Sequence, residues 1–585
     1  MSHHKVVAVC APALRPASVL SLFASLFLLA GVASAGAAAS PEGAGETFPV
    51  SVTAAGDWAN GEGAAEYTPV SISGDGRYVA FQSAADNLGE AGPAGVNEGF
   101  VKDLASGAVS LVSRADGVGG AAAGEPGISG LRLSGDGRYV IFTSAATNLG
   151  TALPGESLGE QHVYRRDLQS GETALVDRVS GAAGAILSRG SEAASISGDG
   201  RYVAFTEKAE NLEDPSGDHA ETANAVGYVR DMQTGTTVAV SRAGGATGAV
   251  GDEPAEGLSI SGDGRYVVFS SRAANLVPGV DDGIWEQVYL RDLQAATTTL
   301  ISQNALGEAG DRGSSLPVIS GPGACKVQFA SIAFNLLQPS SLDVSGEQVY
   351  VADRCQSPAT MTLVSRNASE PIAPFAYSVS GTTEDGRKAI FVGEFVGSAC
   401  CHLYLRDLEA GSTTQLDRAS GAGAVANAEV QETAISANGC RAVFASRATN
   451  LFGGGPPQGE EPTEVYVRQL KPCVEAPEKP SSPSAPKSGP SPVPTASVGG
   501  RLKIVGLSPA KLLLDVSGPG EVSIKLRRFV ATPRRDWNLL RTIDARVSDA
   551  GRLVVPLSLA GAGRYRFNVH LHGTAKGQVR ILDLG

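Results

Sequence analysis

Ser73–Phe81 reads SGDGRYVAF, and the phrase returns as SGDGRYVIF at 134–142, SGDGRYVAF at 197–205 and SGDGRYVVF at 261–269. Three worn copies follow: SGPGACKVQF ending at Phe329, TEDGRKAIF ending at Phe391 and SANGCRAVF ending at Phe444. The closing phenylalanines stand 61, 63, 64, 60, 62 and 53 residues apart. A unit of about sixty residues, repeated in this way, predicts an array of like supersecondary units.

Each full copy carries four short strand signals in the same order, which in the first copy fall at 69–73, 77–83, 99–104 and 109–114. Between the first two lies Asp75-Gly76, the pair favoured in a two-residue hairpin, where both central residues take positive φ. In the second strand Tyr78 and Ala80 alternate with Val79 and Phe81, so each face has an apolar set and both are buried. The third strand recurs as FVKDL (100–104), VYRRDL (163–168), YVRDM (228–232), VYLRDL (288–293), LYLRDL (403–408) and VYVRQL (465–470). The seventh copy, Gln431 to Cys473, ends after its third strand, whereas FPVSVT at 48–53 reads as a fourth strand with no first three before it. The expected fold is all-β: a seven-bladed β-propeller over 48–473 whose N-terminal strand completes the last blade and hides the open sheet edges.

The phrase Ser-x-Asp-Gly-Arg-Tyr-Val-x-Phe resembles the PD40 (WD40-like) repeat of TolB-type β-propellers. Asn275-Leu276-Val277-Pro278 and Arg291-Asp292-Leu293 are similar to repeats of exported bacterial members of that group. The resemblance implies a propeller that docks partners. It says little about activity, because propellers host hydrolases, lyases, binding modules and scaffolds alike.

The chain has 585 residues, 73 of them glycine, and only 18% are charged, which suits short strands and turns better than long surface helices. Its net charge of −13 argues against nucleic acid as a partner. Residues 498–585 hold fifteen Lys and Arg against six Asp and Glu, a net +9 that leaves −22 for the rest. Lys5 and Arg15 precede an apolar stretch, Val19 to Val32, followed by Ala33-Ser34-Ala35; residues 1–35 read as a secretory signal peptide. The expected location is secreted, cell envelope or periplasm, with no membrane span after cleavage; the apolar run is short for a span of about 20 residues.

Tight turns join strands one to two and three to four, and longer segments join strands two to three and one blade to the next. One rim is therefore expected to be trimmed and the other to carry the variable loops and any binding site. The Arg of GDGR and the Asp of RDL read as a repeated structural link, and Asn87, Asn148, Asn211, Asn275, Asn335 and Asn450, each before Leu, as turn formers at the end of strand two. Function is to be sought where copies differ. The fourth blade's loop holds Asp281, Asp282, Trp285 and Glu286, and the third blade's holds Glu213, Asp214, Asp218 and His219. Calcium suits such oxygen ligands, although EF-hand spacing is absent, and a solvated acidic loop is the plainer reading.

Six cysteines follow the signal. Cys325 and Cys440 each begin a second strand, and Cys355 and Cys473 each follow a third, so the antiparallel pairing predicts Cys325–Cys355 and Cys440–Cys473. Cys400 and Cys401 in blade six are left to form a vicinal disulfide, stay free or bind something. No CxxC pair supports zinc. Gly155-Glu156-Ser157-Leu158-Gly159 matches a nucleophile elbow only in letters, since no helix signal follows.

Residues 474–497 are a Pro/Ser-rich linker, and six strand signals within 498–585 predict a basic β-sandwich, immunoglobulin-like, that suits an anionic wall polymer. The sequence thus favours an exported, non-enzymatic module that binds a protein or cell-envelope component. The alternative is a propeller lyase or glycosidase acting on an extracellular polysaccharide through rim carboxylates.

Overall fold

The computed structural model describes residues 45–473, apart from 62–68, 90–91, 94, 151–159, 182–183, 188–189, 208–224, 280–282, 338–345, 357–358, 367–374, 396–400 and 454–462, together with seven strands between 502 and 584. The chain divides into two compact units, 1–479 and 480–585.

Seven four-stranded antiparallel sheets make up the first unit. In blades 1 to 6 the strands are consecutive; blade 2, for example, uses Ile128–Leu133, Tyr139–Ser144, His162–Asp167 and Thr173–Leu175. Blade 7 uses Val430–Ile435, Arg441–Ser446 and Glu464–Gln469, and its fourth strand is Thr47–Pro49, paired Thr47↔Arg468 and Phe48↔Val467. The fold is a seven-bladed β-propeller. Each second strand buries Phe against an aromatic of the third, as in Phe142–Tyr164 with ring centroids 5.7 Å apart and Phe444–Tyr466 at the same distance.

The repeated phrase is explained atom by atom, and the two-residue hairpin reading is corrected. The turn is a four-residue loop in which only Gly76 has positive φ (78°). Ser73 N–H donates to Tyr78 O at 2.9 Å, but Tyr78 N–H donates to the Ser73 hydroxyl, also at 2.9 Å, so the serine side chain substitutes for a ladder carbonyl. That hydroxyl donates to Asp75 Oδ1, which also accepts Arg77 N–H at 2.9 Å. Arg77 then forks onto Asp103 with two 2.9 Å bonds, and Arg138–Asp167, Arg201–Asp231 and Arg265–Asp292 repeat the fork. In blades 5 and 7 the arginine's place is taken by Cys325 and Cys440, which stand at disulfide distance from Cys355 and Cys473 (Cα–Cα 5.2 and 5.1 Å). A covalent staple stands where blades 1 to 4 have the fork, and in blade 5 the aspartate, Asp353, pairs with Lys326 instead, at 2.6 Å.

Turns of neighbouring blades also bond one another: Gly74 N–H to Gly135 O at 2.8 Å, Gly198 N–H to Gly262 O at 2.9 Å and, from blade 7 to blade 1, Asn438 N–H to Gly74 O at 3.0 Å. Gly200 (φ 71°) lies against the Tyr139 ring of the preceding blade, where a Cβ would collide.

The segments between blades do not lie on the long-loop rim as expected. Apart from the one between blades 5 and 6, which lies largely outside the described residues, each folds into a small hairpin, closed by bridges such as Arg114↔Ala122 and Arg242↔Val250, and the tip reaches toward the turn between strands three and four of the next blade. Gly117 N–H donates to Gly171 O at 3.0 Å, and Gly181 N–H to Gly235 O at 2.8 Å. An arginine of the third strand clamps the hairpin: Arg230 Nη2 donates to Gly181 O at 3.0 Å, while its Nη1 donates to Thr237 Oγ1 at 2.9 Å and that hydroxyl donates to Arg178 O at 2.6 Å. Burial satisfies these carbonyls from within the protein, because water has little access to them. Blade 7 has the same clamp, with Arg468 on Thr47 Oγ1 (2.9 Å) and on Gly421 O (2.7 Å).

In the second unit, Leu502–Ser508, Lys511–Val516 and Gly551–Pro556 form one sheet, and Asp536–Val547, Gly520–Val530, Gly563–Leu571 and Gln578–Leu584 form another. The last of these strands was not anticipated from sequence.

Candidate functional site: the channel and the rim of blades 4 and 5

The first strand of each blade is innermost and lines the channel. In blades 2 to 7 it carries a bulge about four residues before the position of the phrase's Ser, filled by Gly130 (φ 65°) in blade 2 and Gly257 (φ 60°) in blade 4. In blade 5 the same position is Leu316, with φ 53° and 44% exposure, a strained conformation for a branched side chain. Glu192 and Glu256 occupy matching positions on the inner strands of blades 3 and 4 and are exposed. Half-buried Arg132 of blade 2 has its pKa lowered by burial, an effect that the charge of Glu432 in blade 7 opposes. Beside Glu432, Gln431 is buried with no hydrogen-bond partner for either amide atom among the described residues.

At the rim, the loops entering the third strand of blade 4 and leaving the second strand of blade 5 flank one segment, Arg312–Ser314. Ser314 N–H donates to Glu286 O at 2.8 Å, Ile332 N–H donates to Gly313 O at 3.0 Å, and the Arg312 guanidinium lies 4.5 Å from the centre of the Phe334 ring. Ile284 (62% exposed) and Trp285 (40%) precede Glu286 on one flank of this segment, and Ile332 and Phe334 (44%) stand on the other, all exposed. Trp285 and Glu286 were singled out in the sequence; Ile284, Ile332 and Phe334 were not, because single apolar residues in loops carry no pattern. Asp281, Asp282, Glu213, Asp214, Asp218, His219, Cys400 and the Ser157 motif lie outside the described residues. Cys401 is buried in a core cluster. Among the described residues no three potential metal ligands gather.

Asn148 and Asn275 stand in turns after strand two, as expected of the asparagines before Leu, and carry a further task there; Asn211 lies outside the described residues. Asn148 Nδ2 donates to Ala122 O at 2.7 Å, and Asn275 Nδ2 to Val250 O at 2.8 Å, each clipping the linker hairpin to the blade it precedes.

Sequence reasoning also missed a buried polar pair at the start of the third strand. It is His162–Asp177 in blade 2 (Nδ1 to Oδ2, 2.7 Å) and His402–Asp417 in blade 6 (2.6 Å). In blades 4 and 5, Ser302 donates to Gln287 and Ser365 to Gln348, both at 2.6 Å; in blades 1 and 7, Ser113 donates to Glu98 and Ser51 to Glu464. In blades 1, 2, 4, 5 and 7 the partner also caps a third-strand N–H, as Ser302 Oγ accepts Val288 N–H at 2.9 Å. Burial pushes Glu98 up to about 7 and Glu464 up to about 8, and raises Asp177 and Asp417 against the pull of their histidines. Recurrence from blade to blade, with partners matched as His with Asp or acid and amide with Ser, marks these groups as architecture despite their shifted pKa values.

No family model matches the chain, and no curated protein does. Solved structures similar to it include the β-propeller domain of the Trilobed protease from Pyrococcus furiosus, with 10% identity and a TM-score of 0.40 over 71% of this chain and 98% of that one. An oligogalacturonate lyase in complex with manganese aligns with 12% identity and a TM-score of 0.38 over 70% and 89% of the two chains, and the Dos1 propeller with 12% and 0.32 over 73% and 95%. At these identities the likeness concerns the fold alone.

Proposed function

We propose that the chain is an exported binding module of the TolB-like propeller kind, which docks a protein or cell-envelope component with the rim of blades 4 and 5. The observation that carries this reading is the exposed group Ile284, Trp285, Ile332 and Phe334, since exposed aromatic and aliphatic clusters on adjoining loops are what partner docking buries. Export is supported by the signal-like residues 1–35 and by two cysteine pairs at disulfide distance, which suit an oxidising compartment. In this reading the N-terminal strand acts as the latch of the ring; its support is that Thr47 makes the bond to Arg418 O that Thr237 makes to Arg178 O. The C-terminal unit is proposed as an immunoglobulin-like sandwich whose +9 charge suits an anionic wall polymer.

The test is cross-linking of the mature chain to isolated envelope fractions, comparing it with Trp285→Ala/Phe334→Ala. Loss of one specific adduct, with at least about tenfold weaker binding of that partner, is expected; an adduct pattern unchanged by both substitutions would remove the rim from the mechanism. A second reading, polysaccharide cleavage, rests on exposed Glu192 and Glu256 at matching positions of adjacent inner strands. It requires that Glu192→Gln and Glu256→Gln each abolish a measured cleavage.

A further inference from the structure

Blade 5 departs from its neighbours on the outer wall. In blades 2, 3, 4, 6 and 7 the clamp arginine bonds a threonine across the sheet: Arg166 and Thr173, Arg230 and Thr237, Arg291 and Thr298, Arg406 and Thr413, Arg468 and Thr47. In blade 1, Lys102 takes the arginine's place and donates to Val52 O at 2.8 Å. In blade 5 the register puts Ala352 opposite Met361, so both polar partners are gone. The linker hairpin is still there, bridged Gln303↔Ala309. Beside Ala352 lies a cavity of about 320 Å³ lined by Leu300, Leu306, Ala352 and Met361, with Asn304 and Arg354 contributing polar groups; the equivalent place between blades 2 and 3, where Arg230 keeps its bond to Thr237, also holds a cavity, of about 500 Å³.

Arg354 donates to Ala324 O at 3.0 Å and lies 4.4 Å from the centre of the Tyr266 ring, and among the described residues no carboxylate pairs with it. The chemistry of the lining is therefore amphiphilic, with an apolar floor beside a guanidinium whose charge lacks a counterion. The volume falls at the lower end of small-molecule sites, about 300–1,000 Å³. An apolar wall rewards methylene groups, and a guanidinium selects a planar anion over a neutral head. We propose that this cavity binds a short aliphatic carboxylate, its chain on Ala352, Met361, Leu300 and Leu306 and its carboxylate on Arg354. The site is independent of the rim, and its apolar floor, Ala352 and Met361, stands where five other blades keep an arginine and a threonine.

Titration calorimetry of the full chain with sodium octanoate tests it. One saturable site is expected. Arg354→Gln should weaken octanoate at least about tenfold, the loss of a charge-assisted bond, while leaving 1-octanol within about twofold. Ala352→Arg with Met361→Thr writes the blade 4 pair into blade 5 and should abolish binding of both probes, with a melting temperature no lower than the parent's. Absence of saturable octanoate binding by the unaltered chain, or binding that survives the restored pair, overturns the proposal. If the double variant does not fold, the contrast between octanoate and octanol in Arg354→Gln decides. Trp285→Ala, which tests the docking rim, should leave octanoate binding unchanged, so failure of one reading does not imply failure of the other.

Discussion

Blade 3 is built from one continuous stretch, Ser191 to Ala239, whereas blade 7 joins Val430–Gln469 to Thr47–Pro49 from the other end of the chain. Their geometry is nonetheless the same. Arg230 and Arg468 hold equivalent linker carbonyls, and Thr237 and Thr47 donate equivalent bonds. Their chemistry differs in two places. Blade 3 closes its turn with the Arg201–Asp231 fork and has apolar Val226 at the head of its third strand; blade 7 closes its turn with Cys440–Cys473 and has buried Glu464 there. Backbone register and hairpin clamps are the invariant parts of the repeat, and the side-chain links between them are interchangeable.

The largest effect should come from breaking the discontinuous blade. Deleting residues 45–53 removes buried Phe48, Val50 and Val52, roughly 5 kcal/mol or more of burial, against a typical domain stability of about 5–15 kcal/mol. The cooperative transition in denaturant should be lost or shifted far down; an unchanged midpoint would mean that blade 7 holds without its fourth strand.

A smaller effect follows from Glu464. In the unfolded chain its carboxyl titrates in the ordinary range near 4.5, whereas the folded chain keeps the proton until about 8. Between those values the folded state binds more protons, so stability should fall as pH rises through that window, by roughly 2–4 kcal/mol for this group. Glu464→Gln copies the Gln–Ser pairs of blades 4 and 5 and should flatten this part of the slope, with little change at pH 4. Melting curves across pH check the sign; a slope unaltered by the substitution would assign it to other groups. In blade 3, where Val226 replaces the acid, no such contribution arises from that position.

The smallest effect should be at the turn. The fork holds Asp231 down to about 2, yet Arg201 is over a third exposed, so Arg201→Ala should cost no more than about 1 kcal/mol. Reducing Cys440–Cys473 should cost more, about 2–4 kcal/mol. If the two losses are equal, the staple adds nothing beyond the fork it replaces.

Much of the fold was legible because its signals are local. The phrase from Ser73 to Phe81 contains its own turn, the alternation of Tyr78 to Phe81 announces a sheet buried on both faces, and Cys325 and Cys355 sit at ends of strands that must be adjacent. The clamps were not legible: Arg230 meets carbonyls about fifty residues earlier in the chain, and nothing in YVRDM distinguishes an arginine on a carbonyl from one in solvent. Nor was the role of Asn148, whose partner Ala122 O lies in the preceding linker. The rim was half legible, since Trp285 stood out by type while Ile332 and Phe334 became notable only by exposure.

Periodicity and turn chemistry, written into neighbouring residues, specify the strands, the blade count and the cysteine pairs, because hydrogen bonding within a hairpin depends on residues a few positions apart. Where the linkers run, which acids are buried and which groove is empty depend on contacts between blades. Those are decided only when the sheets pack, since burial and desolvation are properties of an assembled surface, and the cavity beside Ala352 is lined jointly by blade 4, blade 5 and the hairpin between them.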